Sequence, residues 1–282
     1  MINSLISYLI VFIFGVCVGS FLNCVIYRLE TKQSFLRGRS FCPKCKHKLG
    51  FLDLIPILSF IILKGKCRYC GKKISWQYPL VESFTGILFV LVLNYELGIR
   101  NQGIFDFQGS LNLLFLILNS CFLILIFVFD LKHYIIPDKI IYPAIVIAFL
   151  YLLFESLRFK IWGLSEIWDL GFGIFKGLRL PLLAAFSAGG FFFLLWFLSR
   201  GKWLGFGDVK LAFFMGLFLG WPNILVGLFS AVLIGATIGL VLVGLGKKTL
   251  KSQVPFGPFL VTGTFIALFL GQNLIKWYLN LL

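Results

Sequence analysis

The chain has 282 residues, of which 60% are hydrophobic and only 13% are charged, and its mean hydropathy is +0.98. Soluble domains carry about 25% charged residues, so this composition excludes an ordinary soluble protein and indicates an integral membrane protein. The net charge is +15. In a soluble protein such a charge would suggest binding to nucleic acid. In a membrane protein it is explained by Lys and Arg concentrated in cytoplasmic loops. We therefore expect membrane lipid, and no nucleic acid, as a partner.

The apolar runs predict an all-α polytopic fold. No Lys or Arg precedes Arg28 and no small-residue cleavage pattern is present, so the first run reads as a retained span. A spanning helix needs about 20 apolar residues. Eight runs meet or approach this length, at about residues 2–26, 78–98, 111–130, 139–155, 178–199, 209–221, 223–245 and 256–275. The sixth is the shortest, and Trp221-Pro222-Asn223 predicts a tight reversal at its end.

The loop charges predict the orientation. Residues 28–77 carry twelve Lys and Arg but only Glu30 and Asp53 as acidic residues, which predicts a cytoplasmic loop. Counting spans from this loop places both termini outside. It also places three further basic segments in the cytoplasm, at 130–139, 199–210 and 246–252.

Four of the seven cysteines form two C-x-x-C pairs in that loop, Cys42-Pro-Lys-Cys45 and Cys67-Arg-Tyr-Cys70. Two such pairs predict a tetrahedral Zn(II) site, and because cysteines fill all four positions the metal is expected to be structural. Two disulfides are the alternative, which a reducing cytoplasmic face argues against. His47 is a possible substitute ligand.

The apolar stretch Leu52–Leu63 in the same loop is too short to span, and we expect an interfacial helix or the apolar base of the loop. Three parts of the chain are thus predicted. They are a first transmembrane helix (1–27), a zinc-ribbon-like cytoplasmic loop (28–77) and a seven-helix transmembrane catalytic region (78–282).

Two aspartates lie at the ends of apolar runs. Asp208 ends the motif Gly205-Phe206-Gly207-Asp208, and Asp130 follows another uninterrupted run. Carboxylates in membrane helices usually face a bundle interior or a water-filled cavity. Gly205 and Gly207 would let a bound peptide backbone approach closely. A short turn between helices is the alternative for this motif alone, but the loop charges place both aspartates on the cytoplasmic side, which predicts an aspartyl dyad. Asp138, after a proline, is expected to cap a helix.

Taken together, these motifs resemble those of the type IV prepilin peptidases, which are aspartic intramembrane proteases. The resemblance includes Asp130 within D-x6-P-D, GFGD at Asp208 and the double C-x-x-C. It extends to GSFLNCVIYR (19–28), ISWQYPLVE (74–82) and PFGP (255–258), in the same order along the chain. Two positions differ from the family pattern: Cys24 replaces a more usual aliphatic residue, and Gln77 stands where many members have arginine.

The resemblance implies a function. The substrate would be a type IV prepilin or a type II secretion pseudopilin, cut after a glycine that follows a short basic leader. Many members then methylate the new N-terminus with S-adenosylmethionine, and Glu82 is the residue to test first for that step. Its alternative role is a helix-dipole partner in a first turn. No obligate protein partner is expected.

The two carboxylates suggest a mechanism. They cannot both ionise cheaply, so one stays protonated near neutral pH. The ionised one would activate water and the other would donate to the oxyanion. Two other classes remain open: a different GxGD protease resembling presenilin or signal peptide peptidase, and a non-catalytic scaffold or transporter with a zinc-ribbon docking loop.

Overall fold

The structure is a computed structural model that describes residues 2–34, 38–99, 107–161, 170–246 and 254–281. Within these ranges the regular secondary structure is helical, and extended pairing is limited to two isolated β-bridges. The helices are α1 Ile2–Glu30, α2 Leu58–Ile62, α3 Gln77–Ile99, α4 Phe107–His133, α5 Asp138–Ile161, α6 Leu170–Ser199, α7 Phe206–Leu219, α8 Asn223–Gly244 and α9 Gly257–Leu279, with a 3-10 turn at Phe51–Asp53. The all-α prediction is confirmed.

Seven of these helices are long and apolar enough to cross a membrane, namely α1, α3, α4, α5, α6, α8 and α9. The chain is therefore a multi-pass membrane protein. Helix α7, which corresponds to the sixth predicted span, has only 14 residues. At 1.5 Å per residue it is about 21 Å long, shorter than the ~30 Å hydrocarbon core of a bilayer. Most of its side chains are buried by protein, so its length is not set by lipid thickness.

The described residues form two compact units, divided between Leu125 and Ile126. In the first unit α1 and α3 pack closely through small residues. A Cβ added to Gly15 would lie 2.9 Å from the Cα of Gly86, and one added to Gly19 would lie 2.8 Å from the Cα of Glu82. These glycines thus let the backbones of α1 and α3 come close together. Small residues have the same role at many interfaces between membrane helices.

The second unit contains two further helix pairs of this kind. A Cβ on Gly216 of α7 would overlap the backbone of Ala185 in α6, and one on Gly263 of α9 would overlap the carbonyl of Gly227 in α8. The connection between α7 and α8 is only three residues long and contains a cis Trp221–Pro222 bond, which agrees with the tight turn expected there.

Candidate active site and metal centre

Asp130 lies in the last turn of α4, which continues to His133, and its side chain is 4% exposed. Its Oδ2 accepts a hydrogen bond of 3.0 Å from the N–H of Gly257, the first residue of α9. The N-terminus of a helix stabilises negative charge, so α9 is placed to support this carboxylate. A Cβ on Gly257 would lie 2.6 Å from the same oxygen. The PFGP motif therefore provides a residue small enough for Asp130.

Asp208 lies in the first turn of α7 and is nearly buried. Its Oδ2 accepts a hydrogen bond of 3.2 Å from the N–H of Gly205, which is the N-cap residue of the helix. This is the carboxylate half of a capping box. A Cβ on Gly207 would lie 3.0 Å from the Cβ of Ile136, so this glycine lets the connection between α4 and α5 pack on α7.

The second unit thus brings Asp130 and Asp208 together. The two carboxylates are close enough to interact electrostatically. Each is bonded to a glycine N–H through Oδ2, which leaves the other oxygen of each carboxylate for a proton or a water molecule. Because like charges disfavour each other, two buried carboxylates that interact electrostatically do not both ionise cheaply.

An ion pair joins α5 to α7 near Asp208 in the sequence, and sequence reasoning missed one of its members. The Nζ of Lys210, in α7, is 2.5 Å from the Oδ1 of Asp138, the first residue of α5. Lys210 also lies over the rings of Tyr142 and Phe206, at 4.7 and 5.2 Å. Its position two residues after Asp208 was the available signal. Asp138 is the first residue of its helix, and the partner of its carboxylate is Lys210 of α7, so its role as a cap stays a prediction.

The four cysteine side chains of the loop also come together. The sulfur atoms of Cys42, Cys45, Cys67 and Cys70 all lie within 4.8 Å of one another. A tetrahedral zinc site with Zn–S bonds of about 2.3 Å needs S–S distances of about 3.8 Å, so this cluster fits a zinc ion with only small adjustment.

The two C-x-x-C turns have the same backbone structure. In the first, Cys42 N–H donates to the His47 carbonyl and Lys46 N–H donates to the Cys42 carbonyl, both at 2.9 Å. In the second, Cys67 N–H donates to Lys72 and Gly71 N–H to Cys67, again at 2.9 Å. The residue after the second cysteine has a positive φ in both turns. Such repeated turns are typical of zinc knuckles.

The local environment favours metal binding. Burial raises the pKa of the Cys42 thiol, but hydrogen bonds from the Cys45 and Lys44 backbone and from the Cys45 and Cys67 side chains more than offset this, so its pKa falls to about 7. The thiolate is the form that binds metal. The ring of His47, the possible substitute ligand, packs against Tyr69 with centroids 3.7 Å apart and the ring planes tilted by 33°.

Glu82 is buried in the first unit, where it binds the cysteine loop. Its Oε2 accepts a hydrogen bond of 2.8 Å from the N–H of Ile57, and Ser20 of α1 also bonds to this carboxylate. Helix α3 starts at Gln77, so Glu82 lies in its second turn, and a role as a first-turn dipole partner is wrong. Gln77 donates to Asn23 of α1 at 3.3 Å.

Two family models match the chain. The Bacterial Peptidase A24 N-terminal domain matches residues 13–95, and the Type IV leader peptidase family matches residues 117–240. Proteins named prepilin leader peptidase/N-methyltransferase are similar over nearly their whole length. The protein from Bacillus subtilis (strain 168) is 32% identical over 96% of this chain and 98% of its own. The proteins from Legionella pneumophila and Aeromonas salmonicida (strain A449) are each 30% identical, over 99% and 96% of this chain and 99% and 93% of their own. No solved structure matches this chain.

Proposed function

This chain belongs to the type IV leader peptidase family, and from that premise we propose that it removes the leader from prepilins or pseudopilins and then methylates the new N-terminus. The observation that carries the peptidase half is the pair of buried, interacting carboxylates in its second unit. Such a pair can activate water for attack on a peptide carbonyl.

In the proposed reaction Asp130 and Asp208 act as one unit. The ionised carboxylate takes a proton from a water molecule that attacks the scissile carbonyl, and the protonated one donates to the developing oxyanion. The protons belong to the pair, so base and acid are not assigned individually. The N–H groups of Gly257 and Gly205 fix the orientation of the two side chains.

The substrate would meet these carboxylates where its basic leader gives way to an apolar helix. Gly205 is exposed beside Asp208, and we propose that the extended substrate lies along it. We propose that Gly207, in the first turn of α7, also lets the substrate backbone come close to Asp208. In this structure Ile136 packs against Gly207. Both positions favour a cut at a membrane surface rather than in the bilayer centre.

For the whole chain we propose a place in the bacterial inner membrane, with residues 28–77 and both carboxylates facing the cytoplasm. The twelve basic residues of that loop support this orientation. If α7 is counted as a crossing, the chain crosses the membrane eight times, and both termini lie outside. The client would then be a type IV pilus or type II secretion subunit whose leader stays in the cytoplasm.

Two cofactors belong to this proposal. Zn(II) would be held by Cys42, Cys45, Cys67 and Cys70 as a structural ion that stabilises a loop with little core of its own. S-adenosylmethionine would supply the methyl group. Glu82, which links the cysteine loop to α1 and α3, is the residue that we propose to be needed for methyl transfer.

Family membership argues against the two competing classes. A scaffold or transporter would not need the paired carboxylates, and other GxGD proteases would not need a four-cysteine loop between the first two spans.

The proposal is tested by incubating the purified chain with a synthetic prepilin and S-adenosylmethionine. Mass spectrometry should find a product shortened by its leader and heavier by one methyl group. An uncut substrate would overturn the proposal.

A further inference from the structure

The cysteine loop carries an unusual apolar surface outside the spanning helices. Five side chains between residues 51 and 62 are 56% to 83% exposed, and we call them the apolar face: Phe51, Leu52, Leu58, Ile61 and Ile62. Contiguous exposed apolar residues mark a surface that contacts something other than water.

The stretch that carries the apolar face presents no free charge. Asp53 is the only charged residue between 51 and 63. Its Oδ1 is 2.8 Å from the Arg68 Nε, and its Oδ2 accepts hydrogen bonds of 3.1 Å from Tyr69 and from the Gly50 N–H. The carboxylate is therefore neutralised within the loop and its side chain is only 6% exposed.

The contact with Glu82 fixes the depth of this stretch. The part of α3 that is long and apolar enough to cross a membrane, Gln77–Gly98, has 22 residues and is about 33 Å long. A crossing of the ~30 Å hydrocarbon core by this segment would place Gln77 near its edge. Glu82 is five residues further in, about 7.5 Å along the helix axis. Because Glu82 binds the N–H of Ile57, the short helix α2 must lie near the level of the first turns of α3. That level is the boundary between headgroups and acyl chains.

One more contact agrees with this depth. The Phe60 ring packs on Trp76, with centroids 5.0 Å apart, just before α3 begins. Tryptophan is enriched at this boundary because its ring is amphipathic. The hydrogen bond to Glu82 described above also has a role at this depth. It pairs the N–H of Ile57 at the start of α2, a backbone group that would be costly to leave unpaired away from water.

From these contacts we propose that the apolar face lies in the headgroup–acyl boundary of the bilayer and holds the four-cysteine lobe on the membrane surface. Lipid is the occupant, because a soluble protein partner would have to enter the bilayer to reach α2. The basic residues on either side, such as Lys48, Lys64 and Lys66, complement anionic headgroups. The arrangement is that of an interfacial segment.

The test is photo-crosslinking of the whole zinc-loaded chain in nanodiscs of phosphatidylcholine and phosphatidylglycerol. A benzophenone amino acid replaces Ile61 in one protein and Lys72, exposed in the second cysteine turn, in the control. We expect on the order of tenfold more lipid adducts at 61 than at 72, since only the former lies in the boundary. Equal adducts at both positions, or adducts to a second copy of the chain, would overturn the proposal.

A second measurement tests the depth argument. In the protein with the probe at 61, Glu82→Ala should lower the lipid adducts several-fold, because the bond to Ile57 is lost. Glu82→Gln keeps an acceptor oxygen and should retain them. Zinc content serves as the check that the loop is folded. Unchanged adducts in the alanine variant would contradict the proposed depth.

Discussion

Each of the two central aspartates depends on a glycine that donates an N–H and leaves room for the carboxylate. Gly257 lies so close to Asp130 that any side chain would displace the acid, whereas Gly205 has more space around it, because a Cβ added there would lie 3.5 Å from Asp208 Oδ2. The glycine at the start of α9 is therefore the more sensitive of the two.

We expect Gly257→Ala to lower the cleavage rate by on the order of 10²-fold, because a displacement of about 1 Å can cost that much in a positioned catalytic group. The added Cβ would lie 2.6 Å from Asp130 Oδ2 and force the carboxylate or α9 to move. The rate of prepilin cleavage in membranes measures this. Gly239→Ala is the matched control, since nothing lies within 4 Å of a Cβ there. Equal rates in both variants would show that Asp130 does not need this fit.

Glu82 should separate the two activities. Glu82→Ala removes the acceptor for Ile57 and the partner of Ser20, so the cysteine loop loses this side-chain contact with α3. We expect the variant to cut prepilin at close to the wild-type rate but to leave the product unmethylated, as read from the product mass. Glu82→Gln should recover part of the methylation if the bond to Ile57 is what matters. Full methylation by the alanine variant would show that methyl transfer does not need Glu82.

At the scale of elements, the first two turns of α7 contact the connection between α4 and α5 and the first residue of α5. Ile136 packs against Gly207, and Asp138 pairs with Lys210. Asp130 lies in the last turn of α4 and Asp208 in the first turn of α7. We therefore expect the contacts of Ile136 and Asp138 with α7 to help position the two carboxylates.

Lys210→Met should lower the cleavage rate by about tenfold, a loss of about 1.4 kcal/mol within the usual range for coupled neighbours. Asp138→Asn should have a similar effect, and the double variant should be little worse than either single one. The exchange Asp138→Lys with Lys210→Asp should recover part of the rate. Lys202→Met, at an exposed position, is the control. Additive losses without recovery by the exchange would mean that the two residues act separately.

At the scale of the whole molecule, composition and hydropathy predicted most of the fold. Backbone groups in a bilayer must be paired within helices, so apolar runs translate directly into spans. Helix α7 is the exception in length, because a helix enclosed by protein need not match the thickness of lipid. Its 14 residues could not be recognised as buried from hydropathy alone.

The candidate site was predicted in part. Asp130, Asp208 and the four cysteines stand out in the sequence because acids and paired cysteines are rare in such a chain. The contacts that position them do not. Gly257 is 127 residues from Asp130, and Lys210 is 72 from Asp138, so only the folded chain brings these pairs together.

The most direct test of the central proposal is prepilin cleavage by the wild type, Asp130→Asn and Asp208→Asn, each in membranes at matched expression and zinc content. Asparagine keeps the shape of each side chain but removes the acid. We expect each variant to lose roughly 10²–10⁴-fold in cleavage rate, the usual contribution of general acid–base catalysis. A wild-type rate in either variant would contradict the shared role of the two carboxylates.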